Sequence, residues 1–222
     1  RSRMKVYNIA IDGPSGAGKS TVAKILAGRL GIMYLDTGAL YRAVGLKAMR
    51  CGWDANDEKV AALLEDTDVS VRFENGLQKV YLDGEDVTEA IRLGGVSEYG
   101  SRFSALPSVR RALLGMQRKA ASEASCVLDG RDIGTCVLPD AEYKFFLTAS
   151  VDNRAKRRYE ELKNKGQSVT LEKVREDIVA RDERDTNRPV APLRKADDAI
   201  EINSDDMSAD EVAERMIGYI RK

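Results

Sequence analysis

The chain has 222 residues, 43% of them hydrophobic and 32% charged, with 36 basic residues set against 36 acidic ones. That length supports one good core, or a domain with a smaller insert, and the balanced charge excludes a chain-wide field that would draw the protein to nucleic acid or a membrane. Any anionic ligand must therefore be held by a local cluster.

There is no histidine, which removes the commonest general base and the commonest metal ligand together. Cys51, Cys126 and Cys136 are odd in number, widely separated and free of C-x-x-C spacing, so they read as reduced thiols with no assigned chemistry. No apolar run approaches the roughly 20 residues that cross a bilayer, and Arg1 to Lys5 are not followed by a signal-peptide apolar region. A cytoplasmic location is expected, with neither a membrane nor a nucleic-acid polymer as partner.

In chain order, Val6 to Ile11 reads as a short buried strand. From Lys19 to Leu30 the residues Val22, Ile25, Leu26 and Leu30 share a helical face that Gly31 ends. Ile32 to Leu35 is a second strand; Cys126 to Leu128, Lys144 to Leu147 and Ala199 to Ile202 are three more, separated by helical patterns. The alternation implies α/β architecture with a parallel sheet covered on both faces. One stretch breaks it: Val69 to Phe73, the turn Glu74-Asn75-Gly76 and Val80 to Leu82 read as a small antiparallel unit, placing an inserted subdomain at about 60–100. Pro107 opens a helix in which Val109, Ala112, Leu113, Met116 and Ala120 share a face while Arg110 and Arg111 point elsewhere, and Ser208 with Glu211 forms a capping-box pattern for a last helix.

Gly13-Pro14-Ser15-Gly16-Ala17-Gly18-Lys19-Ser20 matches G-x-x-x-x-G-K-[ST] between a predicted strand and a predicted helix. Backbone N–H groups there can converge on phosphate oxygens, Lys19 can reach the β- and γ-phosphates, and Ser20 can ligate Mg²⁺. The bland alternative is a glycine-rich turn matching by chance. No D-x-x-G occurs, and Asn164-Lys165-Gly166-Gln167 lacks the aspartate of a guanine-reading motif, so a GTPase switch is disfavoured.

Ligands of open α/β sheets sit beyond the carboxyl ends of strands. Asp36-Thr37-Gly38 follows the second strand, with Tyr41 and Arg42 one helical turn further, and Asp129-Gly130-Arg131-Asp132 follows the third. Asp129 can support Mg²⁺ through water, while Arg131 and Asp132 can face an acceptor. A third cluster runs from Arg181 to Arg188, where Arg181 with Asp185 and Arg184 with Arg188 share faces if helical. Upstream, Arg154, Arg157 and Arg158 lie on a charged helix that reads as a lid, at about 152–168, or as salt-bridged surface. The candidate ATP-side residues are 13–20, with Thr21 and Arg157.

These motifs resemble the bacterial cytidylate kinase family. The resemblance rests on Ile11 to Lys19, Asp36 to Arg42, Leu106 to Arg110, Asp129 to Thr135, and Arg181-Asp182 through Asn187-Arg188, in the family's order over nearly the whole chain. It implies a single kinase domain, 1–222, with a P-loop core of five parallel strands, an antiparallel monophosphate-binding insert and a short lid. It implies Mg²⁺ with ATP as the phosphoryl source and CMP or dCMP as acceptor. It further implies that Arg42, Arg131 and Arg188 hold the acceptor phosphate, that Ser101, Arg110 and Asp132 read the cytosine, and that Arg181 and Asp185 contact the sugar, with Thr37 also on the acceptor side. Lys19, Arg131 and Arg188 are then the catalytic set, and a monomer is expected. Leu93-Gly94-Gly95 departs from the family's small hydroxyl residue and glutamate, which bears on how the next helix begins.

A monophosphate acceptor is already largely ionised at neutral pH, with a second pKa near 6, so no general base is needed. A sugar or shikimate hydroxyl would instead profit from an aspartate such as Asp12 or Asp36. The rival readings are a P-loop kinase for UMP, AMP or a small metabolite, and a regulatory protein that uses ATP only as a signal.

Overall fold

The computed structural model describes residues 5–221; Arg1 to Arg3 lie outside the described residues. Among the described residues eight strands and eight α-helices follow one another; β2 (Met33–Asp36), β6 (Cys126–Gly130), β1 (Asn8–Asp12), β7 (Tyr143–Thr148) and β8 (Ile200–Asn203) lie in that order in one sheet, and β3 (Val69–Glu74), β4 (Leu77–Leu82) and β5 (Glu85–Asp86) form a second. The described residues divide into two compact units, 33–126 with 5–7, and 8–32 with 127–221. No helix among the described residues is long and apolar enough to cross a membrane.

In the second unit, β1 (Asn8–Asp12) and β7 (Tyr143–Thr148) pair in parallel from Ile9 opposite Tyr143 to Asp12 opposite Phe146, and β7 pairs in parallel with β8 (Ile200–Asn203). Ile9, Ile11, Phe145, Leu147 and Ile202 are buried, as strands covered on both faces require. Around them run α1 (Lys19–Leu30), α6 (Val151–Asn164), α7 (Leu171–Asn187) and α8 (Ala209–Ile220). Ser208 caps α8 by accepting from the Glu211 N–H at 3.1 Å, as the sequence pattern predicts.

The first unit is built on α2 (Thr37–Cys51), which follows β2 (Met33–Asp36) and is apolar nearly all round. Ala39, Ala43 and Leu46 pack with Val80 and Leu82 of β4 (Leu77–Leu82), while Leu40, Tyr41, Val44 and Ala48 pack with Phe103, Val109 and Leu113. A helix buried on two faces must let a neighbour come close, and Gly45 does so: a Cβ there would stand 2.5 Å from the Gly100 nitrogen of α4 (Val96–Ser104). The remaining helices are α3 (Asp57–Leu64) and α5 (Pro107–Glu123). β3 (Val69–Glu74) and β4 are antiparallel, joined by Asn75 and Gly76 with φ of 53° and 76°, the left-handed pair that a two-residue hairpin needs. β5 (Glu85–Asp86) completes that sheet.

Several sequence boundaries shift. β1 begins at Asn8 rather than Val6, and β2 at Met33 because the Ile32 N–H still closes the end of α1 on the Ala27 carbonyl. β6 (Cys126–Gly130) runs two residues past Leu128, so Asp129 and Gly130 belong to the strand instead of following it. β8 starts one residue late because the Ala199 N–H turns back to Ala196. Arg188 lies beyond α7 in extended conformation (φ −63°, ψ 141°), so it does not share a helical face with Arg184. After Leu93-Gly94-Gly95, α4 starts from a left-handed Gly95 with no side-chain cap.

Candidate active site

The phosphate loop occupies the turn between β1 and α1. Gly13 approaches β7 so closely that a Cβ would fall 2.1 Å from the Leu147 carbonyl oxygen, which only glycine permits. Gly18 then leads into α1 in left-handed conformation, with no side-chain cap and no acidic residue in the first turn. The opening N–H groups of α1 are thus left to an external anion at the positive end of the helix. Lys19 is 6% exposed and donates from Nζ to the Pro14 carbonyl at 2.8 Å. Burial first, then the charge of Arg131, lowers its pKa to about 7 against the partial support of Asp129. Asp129 and Asp185 do not offset burial and the neighbouring arginines, so a further anion, which a polyphosphate supplies, favours the charged form of Lys19. Ser20 and Thr21, next on α1, are exposed.

Two arginines of α6 hold the loop from behind. Arg154, 5% exposed, donates to the carbonyls of Ala149 and Ser15 and pairs with Asp182 of α7 at 2.8 Å. Arg157 donates to the Ala17 carbonyl and to both oxygens of Ser204, just after β8. Sequence reading put Arg157 in the site but missed Arg154 and Ser204. The position of Ser204 beyond a strand's carboxyl end was the signal for it.

Beside Lys19 lies a cluster of opposite charges. Asp185 is 3% exposed and accepts from Arg131 Nε at 3.1 Å, with Arg188 Nη1 3.9 Å from its other oxygen. Burial pushes the Asp185 pKa up, but the charges of Arg131, Arg181 and Arg188 outweigh it and hold the carboxyl below its usual range. Arg188 also donates to the Ala191 carbonyl at 2.7 Å. The structure thus brings together Lys19, Asp129, Arg131, Arg181, Asp185 and Arg188 from three separate stretches of chain.

Asp12 was a candidate base, yet both its oxygens are engaged: Oδ1 accepts from the Ile133 N–H at 2.9 Å and Oδ2 from Gly134 at 2.8 Å. Burial raises its pKa to about 6 in spite of those bonds. Asp132, also buried, opens the same turn.

The first unit carries the other sequence-predicted residues. Asp36 caps α2 through the Ala39 N–H and pairs with Arg42 at 3.0 Å, and Gln78 brackets its backbone from β4. Both carboxylate oxygens are therefore in use, so Asp36 is no better placed as a base. Thr37 is buried at the start of α2. Arg110, 7% exposed, stands 5.0 Å from the centroid of the Tyr41 ring and donates to the Ser104 carbonyl at 3.0 Å, while the Ser104 hydroxyl donates to the Ser101 carbonyl. Arg110, Tyr41 and Ser101 thus share a neighbourhood, and Arg42 adjoins Tyr41 on α2.

The family model for cytidylate kinase matches residues 9–222. The cytidylate kinase of Caldicellulosiruptor bescii is 49% identical over 220 residues, covering 99% of this chain and 97% of that protein. That of Geobacter sulfurreducens is 50% identical over 215 residues, covering 96% and 92%. Among solved structures, an uncharacterized protein from Eubacterium ventriosum superposes with a TM-score of 0.53 at 17% identity, covering 97% of this chain and 99% of that one, and shares the fold.

Proposed function

Because the chain belongs to the cytidylate kinase family, we propose that it transfers the γ-phosphoryl group of ATP to CMP or dCMP, giving ADP and CDP or dCDP. The observation that carries this reading is the set of Lys19, Arg131, Arg181 and Arg188 around Asp185 beside the phosphate loop. Cations on that scale answer two phosphate-bearing ligands rather than one.

In the reaction an oxygen of the acceptor phosphate forms a bond to the γ-phosphorus while the bond from that phosphorus to the β–γ bridging oxygen breaks, and ADP leaves with the electron pair. The attacking oxygen is already ionised, so no general base is required, in keeping with a histidine-free chain. The N–H groups at the start of α1 and Lys19 hold the ATP phosphates. Arg131 and Arg188, with Arg42, hold the acceptor phosphate and oppose the repulsion between the two anions. Ser20 and, through water, Asp129 would hold Mg²⁺, which neutralises phosphate charge when bound; an exposed hydroxyl after the lysine and one buried carboxylate suit an ion that keeps waters and phosphate oxygens as ligands.

Cytosine donates from its exocyclic amine and accepts at N3 and O2, which matches a carboxylate, Asp132, used with Arg110 and Ser101. Arg181 and Asp185 serve the sugar and Thr37 adjoins the acceptor. The segment at about 60–100 acts as the monophosphate-binding insert, and about 152–168, with Arg157, as the lid that keeps water from the γ-phosphate.

The test is ADP formation from Mg·ATP in a coupled assay with CMP, dCMP, UMP, AMP, GMP and shikimate offered separately against a no-acceptor control. Turnover with CMP and dCMP alone is expected. Preference for another acceptor would overturn the cytosine assignment, and acceptor-independent hydrolysis alone would overturn the transferase reading.

A further inference from the structure

Asp12 closes β1 and is followed directly by the phosphate loop. Its two carboxylate oxygens reach across 121 and 122 positions of sequence to the N–H groups of Ile133 and Gly134, which open a single π-helical turn, Ile133–Val137. Opening N–H groups lack partners within their own turn and favour an anion. Asp132, at the N-cap, makes no side-chain capping bond there, so the cap comes from β1 instead. Single π-helical turns are rare and are found frequently at functional sites.

The Lys144 side chain meets the turn at the same glycine that Asp12 holds. A Cβ on Gly134 would stand 3.1 Å from Lys144 Cδ and 3.4 Å from Asp12 Oδ2. Lys144, buried on β7, is itself tied by Nζ to the Pro139 carbonyl and to Asp198. Gly134 therefore packs against both a fixed lysine stem and the Asp12 carboxylate, with little room for a side chain.

We propose that Asp12 is a positioning residue for the acceptor side of the reaction: its carboxylate clamps Ile133 and Gly134 and so sets Arg131 and Asp132, just upstream, relative to the phosphate loop that Asp12 itself precedes. This rests on the reading that Arg131 and Asp132 bind CMP. One carboxylate thereby ties the element that holds the phosphoryl donor to the element that holds its acceptor, where a small misplacement costs a large factor in rate.

The test is Asp12→Asn, which keeps the side-chain volume and one acceptor oxygen but turns an amide N–H toward the second backbone N–H, so the turn is released at one point without a cavity. Wild type and variant are compared in initial rates with CMP varied, in Mg·ATP Kd by direct titration, and in melting temperature. Expected is a fall in kcat/KM for CMP of tenfold or more, about 1.4 kcal/mol of transition-state stabilisation, dominated by kcat. The Mg·ATP Kd should change by less than about threefold. Gly134→Ala provides a second test should Asp12→Asn fail to fold, because its methyl group would crowd the Lys144 stem at 3.1 Å and reach Asp12 Oδ2 at 3.4 Å, shifting the turn at the clamp while leaving the carboxylate and the phosphate loop intact, and the same asymmetry is expected. Equal losses on the ATP and CMP sides, or unchanged CMP kinetics, would overturn the clamp. A wild type that does not turn over CMP would instead overturn the kinase reading, and the control separates the two.

Discussion

Asp185→Asn deletes one charge from the centre of the site without changing its shape. Lys19, Arg131, Arg181 and Arg188 would then lose the carboxylate charge they share. Removing one partner of a buried pair costs about 3–5 kcal/mol, and Arg131, at 16% exposure, places the loss near the lower end, about 3 kcal/mol. For a chain of this size that is a fall in Tm of about 6–12 °C. The sign with pH follows from the depressed carboxyl. Asp185 lies below its usual value of 3.8 when folded, so its contribution is present above that value and is lost as pH falls through the lower folded pKa. The deficit of the variant should be full at pH 7 and narrow below about pH 4. Thermal melts of both proteins at pH 7 and in acid measure it. Inorganic phosphate, standing in for the missing charge, should raise the Tm of the variant more than that of the wild type. A variant that melts with the wild type at pH 7, or a deficit undiminished in acid, would refute Asp185 as the counterion of the arginine cluster.

Three other outcomes are expected. Mg·ATP binding at pH 8 should take up about one proton, because Lys19 has a pKa of about 7 in the free protein and phosphate returns it to its charged form; calorimetry in buffers of different ionisation enthalpy counts the proton. Lys19→Arg, which stays charged, should take up none, and equal uptake by both proteins would show that another group titrates. Asp132→Asn should erode the preference for CMP over UMP by about 1–3 kcal/mol, since an amide no longer matches the cytosine amine in the same way; an unchanged kcat/KM ratio would remove Asp132 from base recognition. Gly45→Ala drives a methyl group into the Gly100 backbone, which has no flexible end to yield, so a loss of about 2–3 kcal/mol, or on the order of 5–10 °C in Tm, is expected. An unchanged melt would mean that α2 and α4 separate freely.

Much of the fold was legible because its signals are local. The α1 boundaries follow from the periodicity between Lys19 and Leu30, and the β3–β4 hairpin follows from Asn75-Gly76, whose backbone conformation few other residues adopt at low cost. The phosphate loop is equally local, since a strand, a glycine-rich turn and a helix suffice to write it. Strand ends were less accurate: β6 runs through Asp129 and Gly130, residues that ordinarily read as turn, because strand pairing overrides propensity. Arg188 was grouped with Arg184 by helical spacing, but α7 ends at Asn187 and the Arg188 Nε donates to Ala191 instead.

What the residues determine alone, then, is the chemistry available: a phosphate loop with its lysine, arginines near strand ends, no histidine, and the D-G-R-D and R-D-x-x-D-x-N-R patterns. Which charges face one another was decided by tertiary structure. Asp12 reads in sequence as a candidate base and is in the fold an anchor for a turn more than a hundred residues away; Asp36 likewise is committed to capping α2 and pairing with Arg42. Arg154 looks like one of several surface charges on α6, yet it is buried against the loop carbonyl of Ser15. The physical reason is the same each time. Periodicity and turn chemistry act over a few residues, whereas the protonation, burial and hydrogen-bond duty of a side chain depend on partners that only the folding of distant segments brings within 3 Å.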